Sequence, residues 1–267
     1  IESFVAIPYV APPLGALRWR APQAPALRER LLEARAIGPG CPQPAGQGFF
    51  SGAAARHDED CLQLNVWRPA TPGPHPVMVW IHGGGLTQGS AVQLQNGVLL
   101  YDGAVYARRD VVFVSINYRL GPLGFLAQRD LRGEAPDHPQ SGNYGLLDQV
   151  AALAWVRANI AAFGGDPQRV TVYGESAGGV SSCVLLATPA ASGLFQRAIV
   201  QSGNCLWNAP SLDAGIEQGD RVTLAAGCVT APDRRACLRA LSVAALFAAG
   251  PPVISTGPML QYPRLPS

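Results

Sequence analysis

Val170-Thr171-Val172-Tyr173-Gly174-Glu175-Ser176-Ala177-Gly178-Gly179-Val180 is the stretch whose reading decides the fold. Val170 to Tyr173 is β-branched and aromatic and predicts a short buried strand. Ala177 to Ala187 is apolar and helical in character. Between them Gly174-Glu175-Ser176-Ala177-Gly178 fits G-x-S-x-G, a sharp strand-to-helix turn that leaves a serine hydroxyl exposed. Glycine is needed at 174 and 178 because a Cβ there would collide with neighbouring backbone. The helix that starts beneath Ser176 favours negative charge at that point.

Upstream, Val77 to Ile81 and Val111 to Asn117 read as buried strands. Leu146 to Ala161 has helical spacing, stopped near Gly164-Gly165, and Asp166-Pro167 is expected to open a turn. Downstream, Ala198 to Gln201 reads as a further strand, with helices expected near Leu212 to Ala226 and Arg234 to Ala249. The first seventy or so residues, rich in Pro, Gly and Arg, suit short edge strands and long connections. Strands alternating with helices predict an α/β fold with a largely parallel sheet. No repeat or composition shift divides the chain, so residues 1–267 are expected to form a single, partial domain.

The 267 residues are 48% hydrophobic with a formal net charge of +2, enough apolar content for a core and too little basic clustering for a nucleic-acid face. There is no Lys, which excludes a Walker-loop lysine and a Schiff-base nucleophile. No apolar run is expected to approach the roughly 18 to 20 residues that span a bilayer. None of the six Cys forms a CxxC pair.

A nucleophilic serine needs donors for the oxyanion formed on attack. His82-Gly83-Gly84-Gly85 follows a predicted strand, and amides without a Cβ in the way can converge there, joined by the N–H of Ala177. A dinucleotide loop is excluded because Gln88 stands where G-x-G-x-x-G needs its last Gly.

Taken together the chain resembles the type-B carboxylesterases, the cholinesterase-like branch of the α/β-hydrolases. The likeness rests on Ile7-Pro8-Tyr9, Glu59-Asp60-Cys61-Leu62, the glycine loop, Asn117-Tyr118-Arg119, Gly142 to Gln149, Phe163 to Pro167, the serine motif and Gln201-Ser202-Gly203. The resemblance implies an incomplete α/β-hydrolase fold and a serine carboxylesterase without metal or organic cofactor. It implies Ser176 as nucleophile and Gly84, Gly85 and Ala177 as oxyanion donors. Glu175 and Ser202 correspond to residues near the active-site water network, and Trp207 to an aromatic wall of the acyl pocket. Leu86 replaces the aromatic common after the triple Gly and is expected to reshape the acyl site.

The family's disulfides imply bonds Cys41–Cys61 and Cys228–Cys237, hence an oxidising, secreted or periplasmic setting. Cys183 and Cys205 are expected to be buried free thiols. Arg18 with Glu59, and Arg119 with Asp148, resemble the family's buried ion pairs. The 41–61 loop holds Phe49 and Phe50 but no Trp, which disfavours choline esters. His57-Asp58-Glu59-Asp60 is too consecutive for convergence on one metal ion.

In this fold the triad acid and histidine follow the serine. The four His are 57, 75, 82 and 138, all upstream, and Asp213, Glu217, Asp220 and Asp233 precede the place of the family's acid. The chain is therefore expected to be a fragment that needs the C-terminal half of the same protein, and to be close to inactive alone. The expected partner is a small-molecule ester, with no nucleic acid and no membrane span. Alternatives on the same scaffold are a non-catalytic adhesion or binding relative, or a lipase, polyester or carbamate hydrolase.

Overall fold

The computed structural model describes residues 1–27, 29–44, 54, 56–134, 139–206 and 210–250. Its strands are β1 (Glu2–Pro8), β2 (Gln63–Arg68), β3 (His75–Ile81), β4 (Leu94–Gln95), β5 (Val98–Leu99), β6 (Val112–Ile116), β7 (Gly165–Glu175) and β8 (Arg197–Gln201). The helices are α1 (Ala104–Ala107), α2 (Gly121–Phe125), α3 (Tyr144–Asn159), α4 (Ala177–Leu186), α5 (Leu212–Ala225), α6 (Arg234–Ala240) and α7 (Val243–Ala249).

Six strands form one sheet in the order β1-β2-β6-β3-β7-β8, and β4 with β5 form a small ladder apart. β1, β2 and β6 pair antiparallel, while β6, β3, β7 and β8 run parallel. The parallel strands are near-continuous apolar runs because helices cover both faces. Val77, Val79, Val112, Val114, Val170 and Val172 are fully buried in the main core, against Leu153, Val156 and Ile160 of the α3 region. The parallel order brings the carboxyl ends of β3 and β7 together, with Ile81 paired to Gly174. Ligands bind in the crevice beyond such strand ends.

Three expectations change. Asp166 and Pro167 lie inside β7, whose first residue already pairs with His75. The stretch from Arg234 to Ala249 is two helices, since Leu241 is extended at ψ 140° and Ser242 caps the second by accepting from the Ala245 N–H. Residues 144–163, α3 with its 3-10 continuation, have the length and a mean hydropathy of 1.2 that a bilayer-crossing helix needs. The charged Asp148 and the apolar residues Leu153 and Val156 of this stretch are nonetheless fully buried within the protein.

The Cys41–Cys61 and Cys228–Cys237 bonds are present, with Cα atoms 5.0 and 5.7 Å apart. Cys183 and Cys205, expected as free thiols, are instead bonded to each other. The turn after β8 packs backbone to backbone on α4 and brings their Cα atoms to 5.2 Å, within bridging range. Both expected ion pairs form. Arg18 Nε and Nη2 grip the two oxygens of Glu59. Asp148 takes Arg119 Nη2 at 2.7 Å and its Nε at 2.8 Å, and also accepts the Arg119 backbone N–H.

Candidate active site

β7 ends at Glu175 and α4 begins at Ala177, so Ser176 alone makes the reversal, at φ 55° and ψ −119°. L-residues rarely adopt this conformation, and one that persists is a strain held by its surroundings. Those surroundings are explicit. The Ser176 N–H donates to the Gln201 carbonyl at 2.9 Å, and its carbonyl accepts from Val180 at 2.9 Å. A Cβ on Gly174 would run into the Gly178 backbone, and one on Gly178 into the Ile81 carbonyl. The need for glycine read from the sequence thus has a physical cause: the elbow is pressed against the end of β3.

The glycine loop leaves β3 directly beside the elbow. A Cβ on Gly83 would lie 2.8 Å from the Glu175 carbonyl oxygen, 3.1 Å from Glu175 Oε2 and 3.3 Å from Ser176 Cβ. Gly84 (φ 102°) and Gly85 (φ 63°) have conformations suited to glycine, and the Gly84 carbonyl closes the loop by accepting from the N–H groups of Thr87 and Gln88. Gly84 is buried and Gly85 exposed, so the loop opens at its tip. Leu86 is buried in the main core and accepts from the Gly121 N–H.

Glu175, Ser176 and Ala177 are all partly exposed. Glu175 pairs in register with Gln201, which puts the exposed Ser202, at φ 48°, beside the elbow. The Glu175 charge also adds to burial in pushing Tyr101 up to about 12. Of the sequence-predicted site residues, the structure thus gathers Gly84, Gly85, Glu175, Ser176, Ala177 and Ser202 at one end of the sheet. Trp207 lies outside the described residues, as do Phe49, Phe50 and His138.

His82 is not free for acid-base work. It is buried, stacks on Tyr118 with ring centroids 4.4 Å apart, and its Nδ1 donates to the Gly83 carbonyl at 2.9 Å. Burial lowers its pKa to about 4, so it stays neutral. Downstream, Asp233 accepts from the Ala236 N–H as a helix cap, and Asp220 accepts from Gln128.

Sequence reasoning missed two residues that hold the loop. Gln43 Nε2 donates to the Gly89 carbonyl and its Oε1 accepts the Gly89 N–H, both at 2.9 Å, tying the 41–61 disulfide loop to the glycine loop. Asn117 is buried; it donates to Pro39 and Cys61 carbonyls and accepts from Ala91. Its place directly after the buried strand β6 was the available signal, since a buried amide must be hydrogen-bonded.

A mostly parallel sheet with a strained serine between its strand and helix defines an α/β-hydrolase. The Carboxylesterase family model matches residues 1–266, and the chain belongs to that family. It is 49% identical over 206 residues to a para-nitrobenzyl esterase of Bacillus subtilis, covering 76% of this chain and 40% of that protein. It is 41% identical over 243 residues to liver carboxylesterase 1 of Oryctolagus cuniculus, covering 86% and 40%. A solved thermophilic PNB esterase superposes with a TM-score of 0.82 at 40% identity, covering 97% of this chain and 53% of that one. The chain spans between 36% and 52% of the length of five curated relatives it matches.

Proposed function

We propose that the protein containing these residues is a serine carboxylic ester hydrolase with Ser176 as its nucleophile. The observation that carries this reading is the conformation of Ser176, strained between β7 and α4 with Gly83 against it. Ser176 Oγ attacks the ester carbonyl carbon, and the carbonyl π electrons move onto oxygen, where the amides of Gly84, Gly85 and Ala177 receive them. Collapse breaks the bond to the alkoxy oxygen, which leaves with the proton taken from Ser176. Water then attacks the acyl-serine, releasing the acid and restoring the hydroxyl. These steps use only side chains, backbone amides and water.

In this fold the proton carrier follows the serine, and no His follows Ser176 in these residues, while His82 upstream is buried and engaged. The triad acid and histidine belong to a C-terminal part of the same protein, with residues 1–267 forming part of one domain. Glu175 and Ser202 border the water side of the site, next to the elbow. Three disulfides support export to an oxidising compartment, periplasmic or extracellular. The names of the relatives support small-molecule esters as substrates, and p-nitrobenzyl and p-nitrophenyl esters are the first probes.

The test is a fluorophosphonate probe applied to the full-length protein, with the adduct mapped by peptide mass. Stoichiometric labelling of Ser176, lost in Ser176→Ala along with ester hydrolysis, is expected. Hydrolysis that survives Ser176→Ala would overturn the assignment.

A further inference from the structure

Ser176 caps α4, and Cys183 lies seven residues on, two turns along the same helical face. Cys183 is bonded to Cys205, which follows Gln201 by four residues, and Gln201 accepts the Ser176 N–H. The three links close a ring: elbow to helix, helix through sulfur to turn, turn back to elbow. Inside the ring the two backbones touch. A Cβ on Gly179 would stand 2.7 Å from the Gln201 carbonyl oxygen, and one on Gly203 2.8 Å from the Gly179 carbonyl carbon.

Among the described residues Ser202, Asn204, Cys205 and Leu206 are exposed, and the Leu206 N–H donates to Asn204 Oδ1 at 2.8 Å. A segment with few buried contacts opens at low free energy unless it is covalently tied. Among the described residues the bridge is the covalent tie between this turn and α4.

We propose that the Cys183–Cys205 disulfide is a positioning element that fixes the Ser202–Leu206 turn against the nucleophile helix and so sets which acyl groups the site accepts. The proposal rests on the ester hydrolase reading above. The bridge touches no reacting atom and acts through the turn it holds. With it cut, the turn moves relative to Ser176 and the space beside the serine changes. A displacement of about 1 Å near reacting atoms can alter rates by about a hundredfold.

The experiment compares full-length wild type with Cys183→Ala/Cys205→Ala on p-nitrophenyl acetate, butyrate, octanoate and dodecanoate, with circular dichroism and fluorophosphonate labelling in parallel. The double variant is expected to stay folded and labelled, with the dodecanoate-to-acetate ratio of kcat/KM shifted about tenfold or more. A purely structural bond would lower Tm and leave that ratio unmoved, and an unmoved ratio in folded, labelled variant overturns the proposal. If the double variant does not fold, the ratio is read on folded wild type reduced with a phosphine until peptide mapping of alkylated thiols finds Cys183 and Cys205 free with the Cys41–Cys61 and Cys228–Cys237 bonds intact, and the same two outcomes decide. Wild type that neither hydrolyses esters nor takes the fluorophosphonate refutes the hydrolase reading itself, and the positioning role falls with it.

Discussion

Gly83 lies flat against Ser176, so close that a methyl on the glycine would stand 3.3 Å from the serine Cβ and 2.8 Å from the carbonyl oxygen before it. Two segments about ninety residues apart in sequence meet there without a side chain between them. That contact fixes the glycine loop relative to the hydroxyl.

The strain at Ser176 belongs to the side chain, so relieving it separates stability from activity. Ser176→Gly is expected to raise unfolding stability by about 1 to 3 kcal/mol, because glycine takes φ 55° without steric cost. Ester turnover in the full-length protein should fall by about 10⁴-fold or more. Denaturant midpoints and p-nitrophenyl ester rates check the two halves independently.

Gly84 holds φ 102°, and any Cβ there meets the Gln88 carbonyl. Gly84→Ala should lower kcat by about 10² to 10³-fold, the usual cost of losing one oxyanion donor. Steady-state kinetics, with circular dichroism to show that the fold survives, give the answer; unchanged turnover would remove Gly84 from the oxyanion site.

His82 makes stability depend on pH in a known direction. Burial lowers its folded pKa to about 4 from 6.5, so the unfolded chain takes up a proton that the folded chain refuses. Its neutral-form stability is whole above about pH 6.5, drains away as the pH falls, and is gone below about pH 4, a loss on the order of 3 kcal/mol. Urea midpoints at about pH 7 and about pH 5 measure it. His82→Asn should show a smaller difference between the two.

Arg119 and Asp148 are 4% and 0% exposed and bind in a two-pronged pair. Asp148→Ala leaves a buried guanidinium without its counter-charge and should cost about 3 to 5 kcal/mol. Thermal unfolding reads the loss, and Arg119→Met together with Asp148→Leu is expected to recover part of it.

Much of the scaffold could be read before any coordinates. The apolar runs at 77–81 and 170–173 grew into β3 and β7, and the G-x-S-x-G spacing located the elbow, because hydrophobic period and glycine placement act on the backbone locally. The break between α6 and α7 escaped notice although Ser242 was a legible cap, since the apolar pattern runs on across Leu241. The bond between Cys183 and Cys205 had no local signal.

By itself the sequence determined the succession of the four parallel strands, the tight reversal at 176 and the absence of a histidine between Ser176 and Ser267, all of which follow from residue type and spacing along the chain. Only tertiary structure decided that Gly83 abuts Ser176, that Gln43 and Asn117 tie the surrounding loops, that His82 is walled in and neutral, and that Cys183 finds Cys205. Each of these depends on which distant segments the sheet brings within a few ångströms, and period and propensity carry no distance between them.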